Sequence, residues 1–353
     1  MSVNHCGDFK QTYKDDMRVL QTRFIRFWVY GFVVFLYVFP LIASAYVVSL
    51  TNMIGIAVIG ALGINIVTGF TGQISLGQGA FLGVGAFSCA FFMNEWGWPF
   101  WIAMPMAGFV TAGVGMVFGI PSLRLKGLYL AIATLAAQFI LEYLFLHLEG
   151  ITGGSNGVMF PAPQVGEFTF DTDQRIYYVI ITVAVLATIY TTNLFRSKDG
   201  RAFVAVRDHY LSAEIMGIHL FKYRLLSFAV SSFIVGIAGS LWGAYTQYIT
   251  PEHFTIHESI NYLAMIIIGG MGSVLGSIYG AIFMTLVPNL LSYGSSVIAN
   301  VVGGGVAIGD LIMSMKEGVF GLIVILFLIF EPDGLAHRWK LIKAYWKLYP
   351  FSY

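Results

Sequence analysis

RSKDGRAFVAVRDHYLSAEIMGIHLFKYR, residues 196–224, is the longest polar interruption between strongly apolar segments in this 353-residue chain. Six of its side chains are basic: Arg196, Lys198, Arg201, Arg207, Lys222 and Arg224. The flanking segments, about 176–195 and 225–247, are each close to the roughly 20 residues that cross a bilayer as a helix. A stretch this polar between two such segments belongs outside the hydrocarbon. Reading it as a loop between spans decides the class of the fold.

Outward from this loop the chain is membrane-like throughout. Hydrophobic residues make up 58%, charged residues 10%, and there are 40 glycines; mean hydropathy is +0.78. Soluble domains carry about 25% charge, so a water-soluble core is excluded. Apolar segments fall at about 27–48, 53–70, 79–93, 99–120, 128–148, 176–195, 225–247, 260–272, 275–292 and 318–331. They lack period-two alternation, and backbone in lipid must satisfy its own hydrogen bonds, so they read as helices. The expectation is an all-α polytopic membrane protein with about ten transmembrane helices. Near 260–292 the glycines at 269, 270, 272 and 276 leave two readings open, two full crossings or a broken or re-entrant pair. The organisation is a tail at 1–26, a transmembrane domain at 27–336 containing the loop 196–224, and a tail at 337–353.

Charge placement orients the chain. With the N-terminus cytoplasmic and ten spans, seventeen of the nineteen Lys and Arg residues fall on the cytoplasmic side, Arg175 and Lys316 being the exceptions. Both termini are then cytoplasmic, and the opposite loop, 149–175, is acidic. The net charge of +1 says nothing about partners. Ala43-Ser44-Ala45 has the form of a leader cleavage site, but the preceding run is long enough to span and reads as a retained helix. Cys6 and Cys89 read as unpaired thiols.

The residues 69–87, GFTGQISLGQGAFLGVGAF, hold the most unusual polar content beside a span. Gly72 and Gly77 match the start of a phosphate loop, but Gln78 and Gly79 follow where Lys and Ser or Thr are needed, which argues against a nucleotide site. Ser75, Gly79 and Gly83 recur every four residues, as on a close-packing helix face. Asn65, Thr68, Thr71, Gln73, Ser75 and Gln78 equally suit a broken helix beside a translocation path, where irregular backbone faces protein or a cavity. Thr134, Gln138 and Glu142 share one helical face, and an ionisable group within a span is a candidate for function. Its alternative is an interfacial carboxylate. His253 and His257 are four apart but lack the intervening Glu of a zinc helix, and read as a solvated external loop with no metal. No nucleophile–base constellation is present, so the chain reads as a non-enzyme. Within the polar loop, 200–217 has helical character after a break at Gly200, with Phe203, Val206 and Tyr210, or Val204, Leu211 and Ile215, forming an apolar side suited to a partner's groove.

Six stretches in order carry a family resemblance: residues 69–87; LRLKGLYLAIATLA, 123–136; ITGGSNGV, 151–158; AVRDHYLSAEIMGI, 205–218; IIIGGMGSVLGSIYGA, 266–281; and GLIVILFLIFEPDGL, 321–335. Together they resemble the LivM-type permease subunit of bacterial branched-chain amino acid ABC importers, over roughly residues 50–336. The resemblance implies a multi-pass subunit of the bacterial inner membrane, paired with a sibling permease. Two cytoplasmic ABC ATPases would hold the ATP and magnesium, with no cofactor on this chain and no nucleic acid involved. An extracytoplasmic solute-binding protein would deliver substrate. The family's coupling element resembles E-A-A-x-x-x-G; Ser212, Ala213 and Gly217 match its small positions, and Leu211 replaces its acid. Gly200, Arg201, Arg207 and Asp208 complete the expected ATPase-coupling set. Where many members read T-L-A-F-G-E, this chain reads Thr134-Leu135-Ala136-Ala137-Gln138-Phe139. The implied substrates are branched-chain amino acids, with urea, amides or small aromatic acids as the alternative. The competing class is an ion-coupled secondary transporter or channel, with coupling residues expected near the bilayer midplane.

Overall fold

Local composition makes nearly all of this chain helical. The computed structural model describes residues 23–348 except 124, 126, 303, 304 and 332, with side chains described for 26–121, 125, 127–292, 318–331 and 333–345. Cys6, Arg124, Lys126 and most of the N-terminal tail lie outside the described residues, as does the side chain of Lys316.

The helices are α1 (Arg23–Ile42), α2 (Ala45–Ile64), α3 (Gln78–Asn94), α4 (Phe100–Gly119), α5 (Leu128–His147), α6 (Asp173–Arg196), α7 (Lys198–Asp208), α8 (Tyr210–Ile215), α9 (Leu220–Thr246), α10 (Ile256–Gly269), α11 (Val274–Val302), α12 (Gly305–Phe330) and α13 (Leu335–Leu348). Among the described residues six are long and apolar enough to cross a membrane, or seven if the pair Gly318–Phe330 and Leu335–Tyr345, bent by 48°, counts as one span. The expected ten is reached only by adding the shorter apolar helices. α10 has 14 residues, about 21 Å at 1.5 Å per residue, against a hydrocarbon core of about 30 Å. It is too short to span alone. The 27–48 segment also divides differently from the expectation, since α1 ends at Ile42 and α2 begins at Ala45.

α9 is the central helix, packed on α4, α3 and α2. A stripe of small residues explains its position. A side chain at Gly239 would collide with the Leu82 carbonyl, and Gly85 lies directly against the Gly236 backbone. Ser240 seals this crossing by donating to the carbonyls of Gly236 (3.0 Å) and Gly85 (3.2 Å). In lipid, tail contacts match apolar side-chain contacts, so helices associate where small residues let backbones approach. Ile59, Leu62, Phe81, Phe87, Val235 and Leu241 fill the surrounding core.

α10 and α11 form a similarly tight hairpin, because Gly269 and Gly280 admit the Gly276 and Met265 carbonyls. At the end of the bundle away from the polar loop, β1 (Val158–Met159), β2 (Gln164–Val165), β3 (Phe168–Thr169) and β4 (Tyr248–Ile249) form two small antiparallel pairs. β1 pairs with β4, bringing Val158 opposite Ile249, and β2 pairs with β3.

Candidate functional site

The chain breaks its helical order inside the bundle. α2 widens into a π-helical turn, Asn65–Phe70, and residues 71–77 are irregular before α3 begins at Gln78. Asn65 holds this break to the α10–α11 turn. Its Nδ2 donates to the Ser273 carbonyl (3.0 Å) and Ser277 Oγ (2.8 Å), and its Oδ1 accepts from the Gly272 N–H (2.9 Å). Thr71 Oγ1 caps back onto the Ile66 carbonyl (2.9 Å), and Thr68 Oγ1 donates to the Gln73 carbonyl (3.2 Å). Gln73 Nε2 donates to Ser227 Oγ on α9 (2.9 Å). Three side-chain atoms along this segment, Gln73 Oε1, Ser75 Oγ and Gln78 Nε2, are buried without a hydrogen-bond partner among the described residues. Stranding a polar atom costs about 1–3 kcal/mol, so each of these atoms calls for a partner beyond the described residues, an ordered water included.

The polar face of α5 is a different kind of site. Thr134 Oγ1 accepts from the Leu76 N–H (2.9 Å). Gln138 uses both ends of its amide: Oε1 accepts from the Ala80 N–H (2.8 Å) and Ser259 Oγ (2.9 Å), while Nε2 donates to Glu142 Oε1 and the Phe254 carbonyl, both at 2.8 Å. Gln138 is thus a saturated junction joining α3, α5, α10 and the segment before α10. Gly79 N–H adds a bond to Ser259 Oγ (2.7 Å). Gly79 and Gly83 also sit where a Cβ would meet the Thr255 carbonyl (2.7 Å) and the Phe145 ring (2.7 Å). Close packing on α3 therefore directly follows the irregular backbone of residues 71–77.

The polar loop forms two helices, α7 and α8, separated at His209. Gly200 is a residue of α7 and not a break before it, which corrects the sequence reading. Ser197 caps the helix by accepting from the Gly200 N–H (3.2 Å), and a Cβ on Gly200 would strike the Leu194 carbonyl and the Phe195 backbone. Phe203 and Val206 are buried and seat α7 on the bundle. Arg201 donates to the Arg196 carbonyl at the surface (3.2 Å).

The buried basic residue of this loop is Arg224, 7% exposed. Arg207, although its side chain is 37% exposed, ties α7 to the break after α2. Its Nη1 donates to the Gly69 carbonyl (2.9 Å), while its Nε pairs with Asp208 (2.9 Å). The side chain passes between Gly72 and Gly272, where a Cβ would lie 2.8 Å from Arg207 Cγ and Nη1 respectively. Both glycines have positive φ, +71° and +73°, a region open to glycine without steric cost. α8 turns Ala213 inward, whereas Leu211, Ser212, Ile215, Met216 and Gly217 are exposed. Ala213 is therefore buried while Ser212 is exposed, and the outward surface is more apolar than the small-residue face expected.

His253 and His257 are exposed, but the expected loop is not what carries them: His253 sits in a short 3-10 turn, Pro251–Phe254, and His257 in the first turn of α10, and they rim a cavity of about 290 Å³ with Glu252, Glu258, Trp242 and Tyr262. Among the described residues no group of three His, Cys, Asp or Glu side chains could hold a metal ion. The partner serines at 227, 259, 273 and 277 and the contact of Arg207 with Gly69 were missed from the sequence. The one signal for them was polar side chains standing beside or within apolar runs.

A family model described as the permease component of branched-chain amino acid transport systems matches residues 46–328. The chain is 30% identical over 320 residues to the high-affinity branched-chain amino acid transport system permease protein LivM of Salmonella typhimurium, covering 84% of this chain and 71% of that protein. LivM of Escherichia coli K12 gives the same identity and coverage. A probable branched-chain amino acid transport permease protein LivH of Methanocaldococcus jannaschii is 25% identical over 312 residues, covering 80% and 89%. No solved structure matches the chain.

Proposed function

This chain belongs to the permease-component family of branched-chain amino acid transport systems, and from that premise we propose that it is one of two sibling permease subunits in an ATP-driven importer of branched-chain amino acids. It is a multi-pass membrane transport subunit. In this reading it sits in a bacterial inner membrane with both termini and the 196–224 loop in the cytoplasm, where seventeen of nineteen basic residues would fall. Two ATPase subunits bind ATP and magnesium, and an external binding protein supplies the solute.

The observation that carries the mechanism is the Arg207 strut. The exposed apolar side of α8 docks on an ATPase subunit, in the manner of an amphipathic helix in a groove. Closure of the ATPases on ATP displaces α8 and α7. Arg207, held on α7 by buried Phe203 and Val206, transmits that displacement to Gly69, Gly72 and Gly272. Asn65 links the two glycine turns, so they move as one unit. The attached segment 71–77 then changes which side of the membrane reaches Gln73, Ser75 and Gln78. Gln73 Oε1 offers an acceptor and Gln78 Nε2 a donor, matching the ammonium and carboxylate of a passing amino acid. Thr68, Thr134, Gln138 and Glu142 hold the walls of this route.

The test is ATP-dependent uptake of radiolabelled leucine in proteoliposomes holding this chain, its sibling, both ATPases and the binding protein. Uptake is expected only with the complete set. Leucine uptake without the ATPases, or ATP hydrolysis by this chain alone, would overturn the reading.

A further inference from the structure

We infer that the cavity at the end of the bundle opposite the polar loop is an entry site for a zwitterionic amino acid with an aliphatic side chain. This rests on the importer reading above and names a place and a solute chemistry for it. Trp242 stands 22 residues along α9 from its start at the polar loop, which places the cavity roughly 30 Å away along the helix axis.

The cavity measures about 290 Å³, at the lower limit of small-molecule sites, and so suits a compact solute. Its lining combines three chemistries. Glu252 and Glu258 supply carboxylates for an ammonium group. The exposed imidazole of His257 supplies a partner for a carboxylate; its Nδ1 lies 3.2 Å from Asn261 Nδ2, which fixes the ring. Leu82, Trp242 and Tyr262 supply apolar surface, and the two aromatic faces also attract an ammonium. Tyr262 is only 4% exposed, yet its hydroxyl makes no hydrogen bond to any described residue. A polar tip on a largely buried side chain normally finds a partner, and Tyr262 lines a cavity able to provide it.

Acidic groups alone would suit any cation. Acidic and imidazole groups facing one apolar wall suit a molecule with both charges and an aliphatic chain. Urea could hydrogen-bond to the carboxylates but carries neither charge and has no aliphatic chain for the apolar wall.

The cavity is also positioned to feed the proposed route. Leu82 lies one turn beyond Gln78 on the same face of α3, and Ser259, next to Glu258, accepts from the Gly79 N–H at the start of that helix. A solute in the cavity therefore lies directly outside the segment with the unpaired Gln73, Ser75 and Gln78 atoms.

The assembled importer in nanodiscs, without its binding protein, tests this with radiolabelled L-leucine. The wild-type complex is expected to bind leucine saturably. Glu258→Gln is expected to weaken binding about tenfold or more, the effect of losing a hydrogen bond to a charged group, and Glu252→Gln to weaken it less. 4-Methylpentanoate lacks the ammonium and isoamylamine lacks the carboxylate, so each is expected to compete poorly. Because Glu258 is partly enclosed, a second measurement uses Thr255, which lines the cavity but is assigned no contact with the solute. Thr255→Cys in a Cys6→Ser background is labelled by a thiol reagent, and leucine, but not urea, is expected to slow the labelling. Unchanged leucine affinity in a folded Glu258→Gln complex, or labelling insensitive to leucine, overturns the inference. Failure of the importer reading looks different, because the complete wild-type system would then take up no leucine with ATP.

Discussion

The two ends of this bundle treat charge in opposite ways. At the polar-loop end, Arg207 lies along the protein surface with its guanidinium engaged by the Gly69 carbonyl and by Asp208. At the other end, Glu252, Glu258 and His257 stand around an open cavity next to Tyr262, whose hydroxyl has no hydrogen-bond partner among the described residues. The first arrangement fixes one element to another. The second keeps binding capacity in reserve. Between them lies a junction, Gln138, whose amide is fully engaged, and a segment, 71–78, in which three polar atoms are not. Rigid and available polar groups therefore alternate along the molecule. A coupled transporter needs that contrast, since force must pass through fixed contacts and solute must meet free ones.

The contrast is easiest to break at Gln138. Gln138→Leu strands the Ala80 N–H and the Phe254 carbonyl, at about 1–3 kcal/mol for each buried group. A large fall in the midpoint of thermal unfolding in detergent is expected. An unaltered midpoint would show that Gln138 is not the junction its geometry describes.

Arg207→Ala should leave a folded subunit that still assembles with its ATPases but transports poorly. Loss of a linkage worth about 1–3 kcal/mol corresponds to a 5- to 150-fold fall in coupling. The readout is the ratio of leucine taken up to ATP hydrolysed, which a merely destabilised complex would not change selectively. Arg207→Lys, which keeps the charge but not the fork, should fall between wild type and Ala.

Gly217 tests the outward surface of the loop. It has φ of +84° and open space around it. Gly217→Ala should therefore cost only the backbone strain, roughly 1–2 kcal/mol, seen as a modest drop in thermal midpoint. Gly217→Trp adds bulk on the exposed side and is expected to reduce co-purification of the ATPases. Retained co-purification would move the docking surface elsewhere.

The smallest effect is expected at Glu142. Gln138 donates to it at 2.8 Å, and Glu142→Gln keeps an acceptor in place. Uptake should stay within about twofold, since a surface-accessible charge contributes about 0–1 kcal/mol. An ion-coupled carrier relying on this carboxylate would instead lose uptake altogether.

Much of the fold was legible in residue order. The polar loop of 196–224, the apolar runs around it and the glycine breaks near 70 and 270 all appear where composition places them. The span count was less legible, because an apolar run records solubility in lipid and not whether the helix completes the crossing. α10 is the example: its run at 260–272 is short in the sequence as well, which leaves crossing and re-entrant readings open, and the helix is only 14 residues long. Gly200 was misread for a related reason. Glycine is compatible with a helix break and with a close helix contact, and only the position of the Leu194 carbonyl distinguishes the two.

The sequence by itself determined the solvent of this protein, its helical character, the location of its one large polar loop and its family likeness. The first three depend on composition within a window of some 20 residues, and the likeness on six stretches that recur in order. Tertiary structure alone decided which polar groups are spent and which are free. Gln73 and Ser75 stand two residues apart, yet Gln73 Nε2 reaches Ser227, 154 positions away, while Ser75 Oγ has no partner among the described residues. Arg207 likewise finds Gly69 across 138 positions. A polar side chain in an apolar run states a need for a partner, and only the packing of helices distant in sequence determines whether that need is met by the chain or left for a solute.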